Sequence, residues 1–153
     1  MKINGSVEQG IYVVLILALQ KNHEPVKSHV MSSVLNVSDS YLKKILRKLV
    51  IAGLIDSNAS KDGGYTLAKP IRAITALDVY KALDTDNAAL AISDMAKQIF
   101  DDEEHITAGE QKIRNAFAAS SEAFYANLAA FHLSELLKEE FIDVGYYNWQ
   151  EKL

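Results

Sequence analysis

The chain has 153 residues, 49% of them apolar, with only 7 Gly and 2 Pro, which suits a mostly helical domain with an assembly arm rather than a disordered chain. It has no cysteine, which excludes disulfides, thiolate zinc sites, cysteine nucleophiles and ordinary iron–sulfur ligation. The net charge of −4 hides a polarity. Residues 1–85 carry eleven Lys and Arg against seven Asp and Glu, while residues 86–153 carry five against thirteen. A basic first half followed by an acidic second half suits a module that meets a polyanion, joined to an assembly or sensing arm.

The longest apolar run, Ile11–Leu19, is about nine residues, well short of the roughly 20 that span a bilayer. No small-x-small cleavage site follows it. We read it as a buried helix of a cytoplasmic protein with no membrane partner. That first helix is expected over Val7–Leu19, with Ile11, Val14, Leu15, Ala18 and Leu19 on its inner face. Asn22–Pro25 is a turn, since proline disfavours helix in the residue before it. A short helix follows at about Lys27–Leu35, with Val30, Val34 and Leu35 inward.

Asn36 is suited to the left-handed residue that ends a helix, and Ser38 to the cap of the next one, with Asp39 in its first turn. In that next helix Leu42, Ile45, Leu46, Leu49 and Val50 form an apolar stripe, while Ser40, Lys43, Lys44, Arg47 and Lys48 form a polar, basic face. The apolar end Leu49–Ala52 is expected to be core. Gly53 ends the helix. Leu54–Asn58 and Tyr65–Leu67 then read as two strands around a loop containing Lys61–Asp62–Gly63–Gly64. The order is that of a winged helix-turn-helix, with Tyr65 expected to pack under the wing.

Thr75 and Asp78 sit at capping-box spacing, and Ile74 can staple onto Val79, so a further helix starts there and ends near Leu83. Asp84–Asn87 reads as a boundary. A helix is expected over Ala88–Phe100, a polar connection over Asp101–Gly109, and a long helix from Glu110 to about Glu140. Ile113, Phe117, Ser121, Phe124, Leu128 and Phe131 recur at alternating spacings of four and three, close to a coiled-coil seam. The aromatic ending with Tyr146, Tyr147 and Trp149 is expected to dock on protein. The fold class is therefore mainly α with a small β-hairpin wing and a long dimerisation helix. Its divisions are 1–84 for the winged domain, 85–108 for a connecting segment with a short helix, and 109–153 for the dimerisation helix and tail.

Val37–Leu49, then Ala52–Gly53–Leu54–Ile55, then Gly63–Gly64–Tyr65–Thr66–Leu67–Ala68–Lys69–Pro70 resemble the Rrf2 family of winged-helix regulators. This family includes the iron–sulfur cluster regulator, the nitric-oxide-sensing repressor and the cysteine-metabolism repressor. The likeness extends through Ile74–Thr75 and Asp78–Val79 to Ala82–Leu83. It implies a homodimer whose long helices cross between subunits and whose two winged domains read a palindromic DNA operator, by family habit as a repressor.

In such a reader the amino-terminal residues of the recognition helix lie nearest the base edges. Ser38, Ser40 and Tyr41 occupy that end, and Lys43, Lys44 and Arg47 supply charge, with Arg47 able to make a bidentate contact. Lys27 and Ser28 open the preceding helix and are candidates for phosphate binding. Lys61, Gly63 and Gly64 are the candidates at the wing. Ile113, Phe117, Phe124, Leu128 and Phe131 are the candidates for dimerisation.

The chain departs from the family pattern in three places. No cysteine lies between Asp84 and Gly109, so a cluster cofactor and thiol sensing are not expected. The stretches where members often carry arginine read Glu8–Gln9–Gly10 and Ser57–Asn58–Ala59–Ser60, leaving the minor-groove contact to Lys61. Val50–Ile51 makes the recognition helix end unusually apolar.

His23, His29, His105 and His132 do not form a metal pair, the run Asp101–Glu104 reads as a solvated turn, and no catalytic arrangement or phosphate loop is present, so no cofactor, metal or enzyme activity is expected. The acidity, the missing wing arginine and the aromatic tail leave open an alternative, a winged-helix protein-interaction module with weak or lost DNA binding. For an effector two candidates stay open, a small molecule in a pocket between the long helix and the Ala88–Phe100 segment, or a partner protein.

Overall fold

The computed structural model describes residues 2–84 and 90–153. All of the expected boundary except Asp84, and the first two residues of the expected Ala88–Phe100 helix, lie outside them. The described residues fall into two compact units, one built from the stretch up to Thr85 with Ala129–Leu153, the other from within Asp86–Leu128.

The first unit contains α1 (Ser6–Leu19), α2 (Ser28–Leu35), α3 (Asp39–Ile51), the antiparallel pair β1 (Ile55–Asn58) and β2 (Gly64–Leu67), and α4 (Ala76–Leu83). The local signals act where the sequence places them. Asn36 takes φ 54° and ψ 48° and ends α2. The Ser38 hydroxyl then accepts the Tyr41 N–H at 3.2 Å to cap α3. At α4 the capping box is complete, with Thr75 N–H donating to Asp78 Oδ2 at 2.8 Å and Asp78 N–H to Thr75 Oγ1 at 3.2 Å. Met31, Leu42, Leu46, Leu49, Ile55, Ile74, Val79 and Leu83 form the fully buried centre. β1 and β2 pair from Ile55 with Leu67 to Asn58 with Gly64, and Tyr65 bridges back to Val26 at the entry to α2.

α1 is not one-sided as expected. Val13, Val14, Leu15, Ile16, Leu17 and Ala18 are all buried, so apolar cover reaches it from more than one direction. Part of that cover is the carboxy-terminal segment, which folds back on the first unit. Its Trp149 indole N–H donates to the Ile16 carbonyl at 2.8 Å, and the N–H groups of Tyr146 and Tyr147 reach the Leu19 carbonyl at 2.9 and 3.0 Å. The two tyrosine bonds satisfy a carbonyl that the helix end leaves without a partner, while the indole adds a second bond to the Ile16 carbonyl, which already accepts the Gln20 N–H at 3.1 Å. Gly145, at φ 70°, is required here, since a Cβ would lie 2.2 Å from the Gln20 carbonyl oxygen. The aromatic tail therefore docks on its own chain.

The second unit contains most of α5 (Glu103–Ala130). This long helix begins before the expected Glu110, because Asp102 Oδ1 accepts the N–H groups of Glu104 (3.0 Å) and His105 (3.3 Å) and acts as a cap that read as solvated turn. Glu103 and Glu104 complement the positive helix end. The helix also stops before the expected Glu140. Past Ala130, Ala76 N–H donates to the Phe131 carbonyl (2.9 Å) and Leu133 N–H to the Ile74 carbonyl (3.0 Å), while Leu133 becomes fully buried. Pairing with the start of α4 replaces further helix. In place of the helix expected up to Phe100 there is a single 3₁₀ turn, Asp94–Gln98.

Candidate nucleic-acid interface

α3 is positioned by Leu42, Ile45, Leu46 and Leu49, all buried, which leaves its other side in solvent. Ser40, Tyr41, Lys43, Lys44, Arg47 and Lys48 are exposed there. Lys44 lies four residues after Ser40, and Arg47 and Lys48 lie three and four after Lys44, so they share one helical face. Ser38 stands at the amino-terminal end of that face with its hydroxyl committed to the cap. Lys43 is tied to Asp39, Nζ to Oδ2 at 3.1 Å. The Lys43 ammonium holds the Asp39 carboxyl below its ordinary range, against some desolvation, and the Ser28 hydroxyl acts in the same direction. Lys43 therefore offers a partly neutralised charge.

The end of α3 differs from the expectation that Leu49–Ala52 is core. Leu49 is buried and Val50 half-buried, but Ile51 is 76% exposed and Ala52 is also in solvent. At about 100° per residue, two steps beyond Leu49 carry the chain off the inner face.

Lys27 caps α2 by position, and its ammonium reaches across to donate to the Lys61 carbonyl at 3.0 Å. The structure thus brings together two lysines 34 residues apart, one at the helix entry and one on the wing loop, and Lys61 itself is exposed. Ser28, the first residue of α2, is half-buried. Gly63 is buried and its N–H is used by the Ser60 carbonyl at 2.9 Å. Gly64 sits at φ 150° against Val26, where a Cβ would come within 2.7 Å of backbone. Both glycines are required by the wing's own packing. Tyr65 is half-buried beneath it.

Sequence reading missed the role of Asn58, whose side-chain oxygen accepts the Ser60 N–H at 3.0 Å and turns the wing loop. The tendency of Asn to bond its own backbone two residues on was the available signal.

Of the dimerisation candidates, Ile113 and Phe117 are exposed on α5, Phe117 by 57%, and Phe124 and Leu128 are half-buried. Phe131 lies past the end of the helix, in the segment paired with α4, and so is not a helical seam residue. Among the described residues no group of three or more His, Asp or Glu is placed to hold a metal ion, and no helix is long and apolar enough to cross a membrane.

A helix-turn-helix with a hairpin wing, an exposed basic face on its second helix and a long carboxy-terminal helix defines the class of winged-helix DNA-binding regulators. The chain belongs to the Rrf2 family, whose sequence model, described as an iron-dependent transcriptional regulator, matches residues 3–139. It is 37% identical over 105 residues to an HTH-type transcriptional regulator, YwgB, of Bacillus subtilis, covering 69% of this chain and 67% of the relative. It is 40% identical over 84 residues to another, YffB, of Lactococcus lactis, covering 55% of this chain and 54% of the relative, so it spans about half of that protein's length. Among solved structures, CymR, the global cysteine regulator of B. subtilis, superposes with a TM-score of 0.60 over 89% of this chain and 95% of its own, at 24% identity, which is a likeness of fold.

Proposed function

We propose that this protein is a cytoplasmic repressor that binds a pseudo-palindromic operator as a homodimer. The observation that carries the reading is the exposed row Ser40, Lys44, Arg47 and Lys48 on a helix whose opposite face is locked into the core. α3 would enter the major groove, with Ser40 and Tyr41 nearest the bases and Arg47 offering a fork to guanine or phosphate. Lys27 and Lys61 would sit on the backbone, with Lys61 flanking the minor groove and Ser28 and the Gly63–Gly64 turn beside them. Exposed Ile113 and Phe117 support assembly through α5, because apolar side chains along a long helix call for cover.

The test is genomic DNA selection with the purified chain, followed by anisotropy titration on the enriched site. Replacing Lys44 and Arg47 together by Ala should weaken operator binding by about 1–3 kcal/mol or more if either makes a bidentate base contact, and should flatten the salt dependence. Unchanged affinity would remove α3 as the reading surface. An absence of any enriched motif at low salt, together with a reproducible protein partner, would favour the protein-interaction alternative.

A further inference from the structure

The first unit holds a half-open cavity of about 530 Å³, and none of its lining residues comes from α3. That size falls within the range of small-molecule sites, roughly 300–1,000 Å³. Its apolar walls come from three separated parts of the chain: Leu17 near the end of α1, Leu67 and Ile71 in and after β2, and Ile142 in the folded-back tail. His23, Lys69, Arg72 and Asp143 supply its charged and titratable groups.

Each of the two strong cations has a carboxylate nearby and keeps donors to spare. Lys69 Nζ lies 3.9 Å from Asp78 Oδ2, too far for a hydrogen bond, so that contact uses none of the ammonium's three donors. Arg72 pairs with Glu139 through Nη2, in an exposed contact that leaves the other donors of the guanidinium available. Asp143 on the same lining opposes a highly charged anion. Apolar walls with two cations and one opposing carboxylate on the lining suit a ligand with an apolar body and a single negative charge.

We propose that this cavity binds a small apolar monocarboxylate, its body against Leu17, Leu67, Ile71 and Ile142 and its carboxylate facing Lys69 and Arg72. The site adjoins the reading apparatus, since β2 continues directly from the Gly63–Gly64 turn and Tyr65 bridges to Val26 before α2. That the ligand acts as an effector rests on the DNA-binding reading above, whereas its binding does not.

Calorimetric titration of the full chain without DNA, using 4-phenylbutyrate as probe, tests the site. Saturable binding at one ligand per chain is expected, weaker by about tenfold or more for the neutral 4-phenylbutanol and weaker still for 4-phenylbutylamine. Lys69→Gln and Arg72→Gln should each weaken the carboxylate by about tenfold, and Ala68→Trp, at an exposed lining position, should block it. Glu139→Gln should tighten it, by about threefold, because it releases Arg72, and a damaged fold would not produce a gain. The proposal is overturned if 4-phenylbutyrate does not saturate, if the alcohol binds equally well, or if all four variants bind as the parent does. Adding ligand to the operator titration separates the two readings. Ligand binding with unchanged operator affinity removes the effector role, and ligand binding by a chain that selects no operator overturns the DNA reading instead.

Discussion

α3 and α5 both repeat apolar side chains at helical spacing, yet they solve opposite problems. α3 buries Leu42, Ile45, Leu46 and Leu49 within its 13 residues and turns its charges outward. Among the described residues, α5, with 28 residues, buries just Ile106, half-buries Phe124 and Leu128, and leaves Ile113 and Phe117 in solvent. At 1.5 Å per residue α5 is roughly 42 Å long, and one buried isoleucine does not anchor such a length. The difference teaches that α3 is finished within its own chain, while α5 leaves apolar side chains exposed that the proposed dimer would cover.

The tail makes the sharpest test of where self-sufficiency ends. Trp149→Ala removes a buried indole and its bond to the Ile16 carbonyl, and should cost about 3–5 kcal/mol in chemical unfolding. A loss below 1 kcal/mol would mean that the folded-back segment is an accessory to the first unit. The comparison itself is tested next by a pair of variants. Leu46→Ala, at a fully buried position, should cost about 2–5 kcal/mol at any protein concentration. Phe117→Ala should stay within about 0.5 kcal/mol in dilute solution but abolish a rise of Tm with concentration. Equal effects of the two would erase the distinction between α3 and α5.

A smaller effect, about 1 kcal/mol, is expected for Thr75→Ala, which opens the α4 capping box next to the point where the tail attaches. The smallest belongs to Asp39→Asn. The folded-state pKa of Asp39 lies below its ordinary value of 3.8, so its ion pair stabilises fully above the unfolded pKa and is lost as pH falls through the folded one. The variant should be less stable by about 0–1 kcal/mol at pH 7, and the gap should close as the pH is taken below about 4. A gap that widened in acid would contradict the assigned pairing.

The same contrast explains what could be read without coordinates. Asn36, Ser38 and the Thr75–Asp78 pair act within four residues of themselves, and the stripe Leu42 to Leu49 repeats within one helix, so those signals are local and were legible. The exposed basic row of α3 followed from that stripe by geometry alone. The contact between Lys27 and Lys61 joins residues 34 apart, and the tail joins Trp149 to Ile16 across 133, where no periodicity reports a neighbour. The limits of α5 were missed for two different reasons. Asp102 is a cap that composition makes look like solvated turn, and beyond Ala130 a tertiary pairing outcompetes a sequence that still favours helix. Ile51 is as apolar as the stripe it follows, but helical phase carries it into solvent.

The closure of α1 by Tyr146, Tyr147 and Trp149 has a temporal side. At about 5–20 residues per second of synthesis, the segment that covers the end of α1 is made roughly 7–26 seconds after α1 itself. Through that interval the Leu19 carbonyl lacks the Tyr146 and Tyr147 N–H groups, and the end of α1 lacks its indole cover. A nascent chain of this protein therefore exposes the apolar end of α1 until Tyr146, Tyr147 and Trp149 have been made and have docked, and chaperone demand should fall once they do.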